Sequence, residues 1–187
     1  MTKARRLIRP LMLAGLGLPL ALAGCDSTPQ DYFAPPCPKP TIMADLADLD
    51  LYRPGGGSDA SDLAYSVRVT GLSGTCSTGK TRGTTNATVS MSIAVNRGPA
   101  GVARVLTVPY FIAVVKDGEV LDKTAYAMDA QFTTTTGTVA LVTDPVSLLL
   151  PTPQGVSSAD YRIVGGLQLS PAQVERNRAS MAAKRGQ

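Results

Sequence analysis

Histidine and tryptophan are both absent from the 187 residues. Without histidine the commonest general base at neutral pH is missing, and Ser–His and Cys–His nucleophile pairs are excluded. The commonest nitrogen ligand for zinc goes with it. Only three cysteines are present, Cys25, Cys37 and Cys76, and no CxxC redox motif can be formed from them. Aromatic residues make up 5% of the chain. A core must therefore be assembled from Val, Leu, Ile, Ala and Met.

What is present is most ordered at the N-terminus. Met1 to Arg9 carries Lys3, Arg5, Arg6 and Arg9 and no acid, a cationic segment that stays on the cytoplasmic side during export. Leu11 to Leu22 is apolar but, as a helix, would reach only about 18 Å against a hydrocarbon core of roughly 30 Å. It suits a signal-peptide core rather than a span. Leu22-Ala23-Gly24-Cys25 follows directly. That order resembles the lipobox of bacterial lipoproteins. The resemblance implies cleavage between Gly24 and Cys25, a diacylglyceryl thioether on Cys25, and acylation of the new amino group. Two or more acyl chains anchor stably where one alone is marginal. Arg5-Arg6 is read as ordinary leader charge. Asp26, after the lipidated cysteine, implies inner-membrane retention in enteric-type lipoproteins, a rule that does not carry to other groups. The expected location is therefore the cell membrane or outer membrane, lipid-anchored and facing the periplasm.

The expected organisation is a signal peptide over 1–24, a lipidated Pro-rich tether over 25–40, one β-sandwich domain over 41–170, and a basic C-terminal helix or tail over 171–187. Cleavage changes the charge. Without the four basic residues of 1–24, the 18 Lys and Arg fall to 14, equal to the 14 Asp and Glu. No general cationic field remains to attract nucleic acid. The pair left over in an exported chain, Cys37 and Cys76, is expected to form a disulfide closing a loop of about 40 residues, worth about 4 kcal/mol by chain entropy.

Prolines 29, 35, 36, 38 and 40 mark the tether as a semi-rigid polyproline spacer. Thr41 to Leu51 is compatible with a strand or a short helix. Arg53 to Ser58 reads as a loop. From Leu63 the period is two: Leu63 to Thr70 and Ala87 to Asn96 are half-buried strands, with Gly71 to Gly83 as a turn-like stretch between them. Val105 to Val115 is apolar on both parities, with Pro109 implying an edge or bulge. Asp117-Gly118 predicts a two-residue hairpin turn into Glu119 to Met128. Thr138 to Thr143, Val146 to Leu150 and Tyr161 to Leu169 are further strands, the last weakened by Gly165-Gly166. Ser170-Pro171-Ala172-Gln173 predicts a helix start with Ser170 as N-cap. About seven short strands predict an all-β sandwich with a short C-terminal helix, similar in outline to immunoglobulin-like and fibronectin type III domains. The segments Arg53-Pro54-Gly55-Gly56-Gly57 and Gly165 to Gln173, with Cys37 and Cys76, resemble uncharacterised proteobacterial envelope lipoproteins; no activity is implied by that likeness.

Two motif matches require a decision. Gly74-Thr75-Cys76-Ser77-Thr78-Gly79-Lys80-Thr81 fits the phosphate-loop pattern, in which Lys80 reaches phosphates and Thr81 holds magnesium. That chemistry needs a helix directly after Lys80, whereas a period-two strand follows, so a Gly/Thr-rich turn is expected. Ser77 and Lys80 also read Ser-x-x-Lys, which needs the same missing helix. Asn86-Ala87-Thr88 matches a glycosylation pattern by chance. Asp45, Asp48, Asp50, Asp59 and Asp62 suggest calcium by ligand count, against the simpler reading of a solvated acidic face.

No catalytic set, cofactor or metal site is therefore expected. The expected function is non-enzymatic: binding or scaffolding of another envelope component. The alternative is a periplasmic carrier holding a small ligand or ion between the sheet and the C-terminal helix. Candidate partner-binding residues are Arg176, Arg178, Lys184 and Arg185, facing anionic headgroups or an acidic protein face; a solvated tail is the competing reading. Partners are membrane lipid through Cys25 and an envelope protein, without nucleic acid.

Overall fold

The computed structural model describes residues 36–186. The expected signal peptide, the expected lipidation site Cys25 and the expected tether as far as residue 35 lie outside that range. Nine strands and one helix follow one another: β1 (Pro40–Ile42), β2 (Asp48–Tyr52), β3 (Leu63–Thr78), β4 (Thr84–Arg97), β5 (Val105–Lys116), β6 (Glu119–Gln131), β7 (Thr138–Val142), β8 (Val146–Pro151), β9 (Tyr161–Leu167) and α1 (Pro171–Arg185). One sheet runs β1-β9-β5-β6; the other runs β2-β3-β4-β7, with β8 also on β4. The expected sandwich with a short C-terminal helix is the architecture found. Nine strands stand where about seven were expected, because Thr41 to Leu51 supplies the ends of two, β1 and β2, around a 3-10 turn at Ala44–Leu46.

Period-two patterning produces the core. Ala87, Val89, Met91, Ile93 and Val95 of β4 are at most 1% exposed while their neighbours are half-buried or, at Asn96, exposed. They meet Val108, Tyr110, Ile112 and Val114 of β5 and Ile163 and Leu167 of β9 in one continuous cluster between the sheets. Close packing makes such positions sensitive to single methylenes.

The stretch Gly71 to Gly83 is not a turn. It continues β3 as far as Thr78, paired with β4 down to Thr78 opposite Thr85. Its Ser, Gly and Thr side chains carry no hydrophobic alternation to reveal a strand. The partner imposes it, after a register shift between Val69 and Gly71 that resets the pairing. Only Gly79 to Gly83 turns.

Pro109 lies at a local edge, one of the two expectations, although the strand as a whole is not an edge strand. β5 is interior, between β9 and β6, and its irregularity falls at Val114/Val115. The proline is tolerated because pairing with β9 starts only at Tyr110, and Gln168 N–H caps the Pro109 carbonyl on that side. Asp117 (φ 52°) and Gly118 (φ 84°) form the expected tight hairpin, both in the left-handed region such a turn demands. Gly165 leaves room between the sheets: a Cβ there would stand 2.7 Å from Met91 Cε.

β7 and β8 share one edge of β4, and Thr143 bridges the gap between them. Its N–H bonds to the Met91 carbonyl, and its hydroxyl accepts from Met91 N–H at 3.0 Å. That explains why a threonine is buried there: it continues the ladder where the strand breaks.

Candidate interaction surface along the C-terminal helix

The helix starts as its sequence predicts. Ser170 Oγ accepts from Gln173 N–H, and Ser170 N–H donates to Gln173 Oε1 at 2.8 Å, with Pro171 in the first turn. No residue of α1 is buried. Apolar burial, limited to the half-buried Val174 and Met181, therefore does little to hold it. Polar contacts hold it: Asn177 Nδ2 donates to the carbonyls of Asp45 (3.0 Å) and Asp48 (2.6 Å), and Arg178 spans Asp45 (3.0 Å) and Glu175 (2.9 Å). Hydrogen bonding to Asp45, then to Glu175, pushes the Arg178 guanidinium further above its already high value.

This arrangement separates the four basic candidates. Arg178 bonds to Asp45 and Glu175, with its side chain still 56% exposed. Arg176 and Lys184 line a groove of about 590 Å³ between α1 and the second sheet, together with Tyr52, Asp50, Arg68 and Asn96. Lys184 and Arg185 flank a smaller hollow beside Met181 and Ala44. Across the groove Arg68 Nε donates to Asp48 at 2.6 Å, a bond that raises the Arg68 pKa. The groove is a mixed-charge cleft open at the surface. Asn177, the residue that builds it, carried no signal in the sequence, since a mid-helix asparagine is more often a solvated one.

The acidic residues do not converge on an ion. Asp45 pairs with Arg178, Asp48 with Arg68, and the buried Asp62 with Arg53 at 2.6 Å. Asp62 also accepts the Gly57 N–H at 2.7 Å, and Arg53 N–H bonds to its carbonyl. The Arg53–Gly57 loop is thus a clamp around one buried carboxylate. Among the described residues no group of three or more His, Cys, Asp or Glu side chains could hold a metal ion.

The phosphate-loop match dissolves in the same way. Gly74 to Thr78 is strand, Lys80 is exposed in the β3–β4 turn, and Cys76 is bonded to Cys37 across 39 positions. Ser77 is paired opposite Asn86 in the sheet, so Ser-x-x-Lys has no helix to act on.

The C-terminal end of the expected tether is part of the domain. Cys37 is bridged, Pro38 is fully buried, the Pro36 carbonyl accepts from the Ser158 hydroxyl, and β1 runs parallel to β9. Burial also raises the Tyr110 phenol pKa inside the core, the neighbouring Thr143 hydroxyl opposing it in part. Among the described residues no helix is long and apolar enough to cross a membrane. No family model matches the chain, and neither a curated protein nor a solved structure matches it.

Proposed function

We propose that the mature chain, from Cys25 onward, is a lipid-anchored, non-enzymatic β-sandwich that faces the periplasm and binds or scaffolds another envelope component. The observation that carries this reading is Leu22-Ala23-Gly24-Cys25 placed directly after a short apolar core and a cationic leader. The Cys37–Cys76 bridge supports it, because such bridges persist in oxidising compartments. Three of the five clustered aspartates are occupied by arginines, which supports a structural rather than catalytic role for that acidic stretch. The carrier alternative draws its support from the groove beside α1; the filled space between the sheets speaks against a ligand held there.

The test is mass spectrometry of the purified chain with fractionation of the two membranes. Acylated Cys25 as the N-terminal residue is expected, with a Cys25→Ala variant lost from the membrane fraction. A precursor retaining residues 1–24 in an unacylated form would refute the anchor. Crosslinking in intact envelopes then addresses the partner, and no reproducible product would count against scaffolding. Deleting residues 174–187 in the Cys25→Ala background tests Arg176, Lys184 and Arg185; unchanged envelope binding would remove α1 as the contact.

A further inference from the structure

β6 ends its sheet. It pairs with β5 on one side, and among the described residues no strand pairs with its other side. A free edge offers a row of unpaired N–H and C=O groups to another strand, and proteins blunt it by shortness, proline, bulges or charge. β6 is 13 residues long and contains no proline. Its one register shift lies at the hairpin end, opposite Val114/Val115. Every residue of β6 except Tyr126, Met128 and Ala130 is exposed. Charge is the remaining device, and its placement admits one partner in particular.

Two bonds fix which backbone groups face outward. Phe132 N–H donates to the Arg104 carbonyl at 2.7 Å, and Gln168 N–H to the Pro109 carbonyl at 2.9 Å. The direction of N–H and C=O alternates along a strand. From the first bond, Ala130, Met128 and Tyr126 turn theirs toward β5. From the second, Pro109 faces β9, so Tyr110 faces its opposite, Tyr126, and the two bonds agree. The free edge therefore carries the N–H and C=O of Lys123, Ala125, Ala127 and Asp129. Their side chains stand on the face turned away from the core, where Ala125 lies opposite Phe111 and Lys123 opposite Ala113, both buried. Lys123 Nζ lies 4.4 Å from the Phe111 ring centroid, and Asp129 accepts from the Thr107 hydroxyl at 2.7 Å. Neither forms an ion pair among the described residues.

Lys123 stands three residues before Tyr126, and Asp129 three after it. In an antiparallel pair of two β6 strands centred on Tyr126, each Lys123 faces the Asp129 of the other copy. Each Ala125 faces an Ala127, and all four outward residues exchange backbone bonds about one closed two-fold axis. Shifting the centre one residue either way sets Lys123 opposite Ala127 or Gln131, and both charge pairs are lost. We propose that β6 joins β6 of a second copy of the chain in this register, so that two four-stranded sheets become one continuous sheet across a dimer. The pairing stands with or without acylation of Cys25.

The test uses the chain from residue 25 as Cys25→Ala, read by sedimentation velocity. The parent is expected to be dimeric at roughly 100 μM. Opposite charges facing each other across a strand pair attract, and like charges repel. Lys123→Glu makes both pairs repulsive, as does Asp129→Lys, and each is expected to weaken the dimer about tenfold or more. Mixing the two variants is expected to restore dimer, because each strand then meets its opposite charges, a recovery that unfolding cannot produce. Ala127→Pro removes one outward N–H and leaves the β5 ladder whole. It is expected to give a monomer with unchanged circular dichroism and faster hydrogen exchange at Lys123, Ala125 and Asp129. A parent that stays monomeric at that concentration overturns the proposal and leaves the edge to a strand of another protein. A dimer indifferent to these substitutions, or a mixture that stays monomeric, overturns it as well.

Discussion

The two ends of the described chain are fastened to the same sandwich by opposite means. Residues 36–42 are held by a covalent bridge, a fully buried proline and a short parallel strand. α1 has no fully buried residue and is held mainly by Asn177, with an exposed Arg178–Asp45 pair and the half-buried Val174 and Met181 beside it. Seven residues are fixed more firmly than fifteen. Length of regular structure is thus no guide to the strength of attachment; removal of apolar and covalently constrained groups from water and from chain freedom is. A helix held by few contacts beside a mixed-charge groove is the end that opens more easily.

That contrast can be broken at either end. The largest effect is expected from removing the bridge: Cys37→Ser with Cys76→Ser should cost about 4 kcal/mol by chain entropy, read by urea unfolding. A loss equal to that of deleting α1 would erase the comparison. Next comes Asn177→Ala. It leaves two backbone carbonyls without their donor and should cost about 1–2 kcal/mol. Hydrogen exchange should show faster opening confined to α1 and residues 44–48. Ser170→Ala should cost about 1 kcal/mol of helix stability, visible as lost helical circular dichroism with the sheet signal intact.

The interior separates from both ends at high pH. Tyr110 holds its proton more tightly when folded, so its contribution is complete below its ordinary value of 10.0 and is lost as pH rises through the higher folded value. Stability should fall above that point, less steeply in Tyr110→Phe, by denaturant melts at alkaline pH. The smallest effect belongs to Arg178→Gln, an exposed pair that salt screens; its melting temperature should barely move, and less still at high ionic strength.

Much of the sandwich was legible because β4 and the start of β3 bury one face and solvate the other, a pattern that only strands satisfy. The Asp117-Gly118 turn and the Ser170 cap were legible because each depends on chemistry within four residues. Gly71 to Thr78 was not, since small polar side chains leave no periodic signal and the pairing partner dictates the conformation. Pro109 was legible as a local edge, because a missing N–H is costly only where a partner strand faces it, and β9 pairs only from the next residue on. In the candidate surface, the basic character of α1 was visible. That Arg178 turns inward to Asp45 while Arg176 and Lys184 line a groove was not, because the pairing joins residues more than 130 positions apart.

By itself the amino-acid sequence determined the absence of histidine chemistry, the alternating strands and the helix start. Each of these is a local property of composition, order or period. The pairing of Cys37 with Cys76 was already expected from the sequence; the tertiary structure alone decided that the proline segment is docked from Pro36 and that three aspartates are neutralised by arginines. It also decided that β5 is dry on both faces. These depend on which distant segments share a surface, and burial and ion pairing act between neighbours in space, not along the chain.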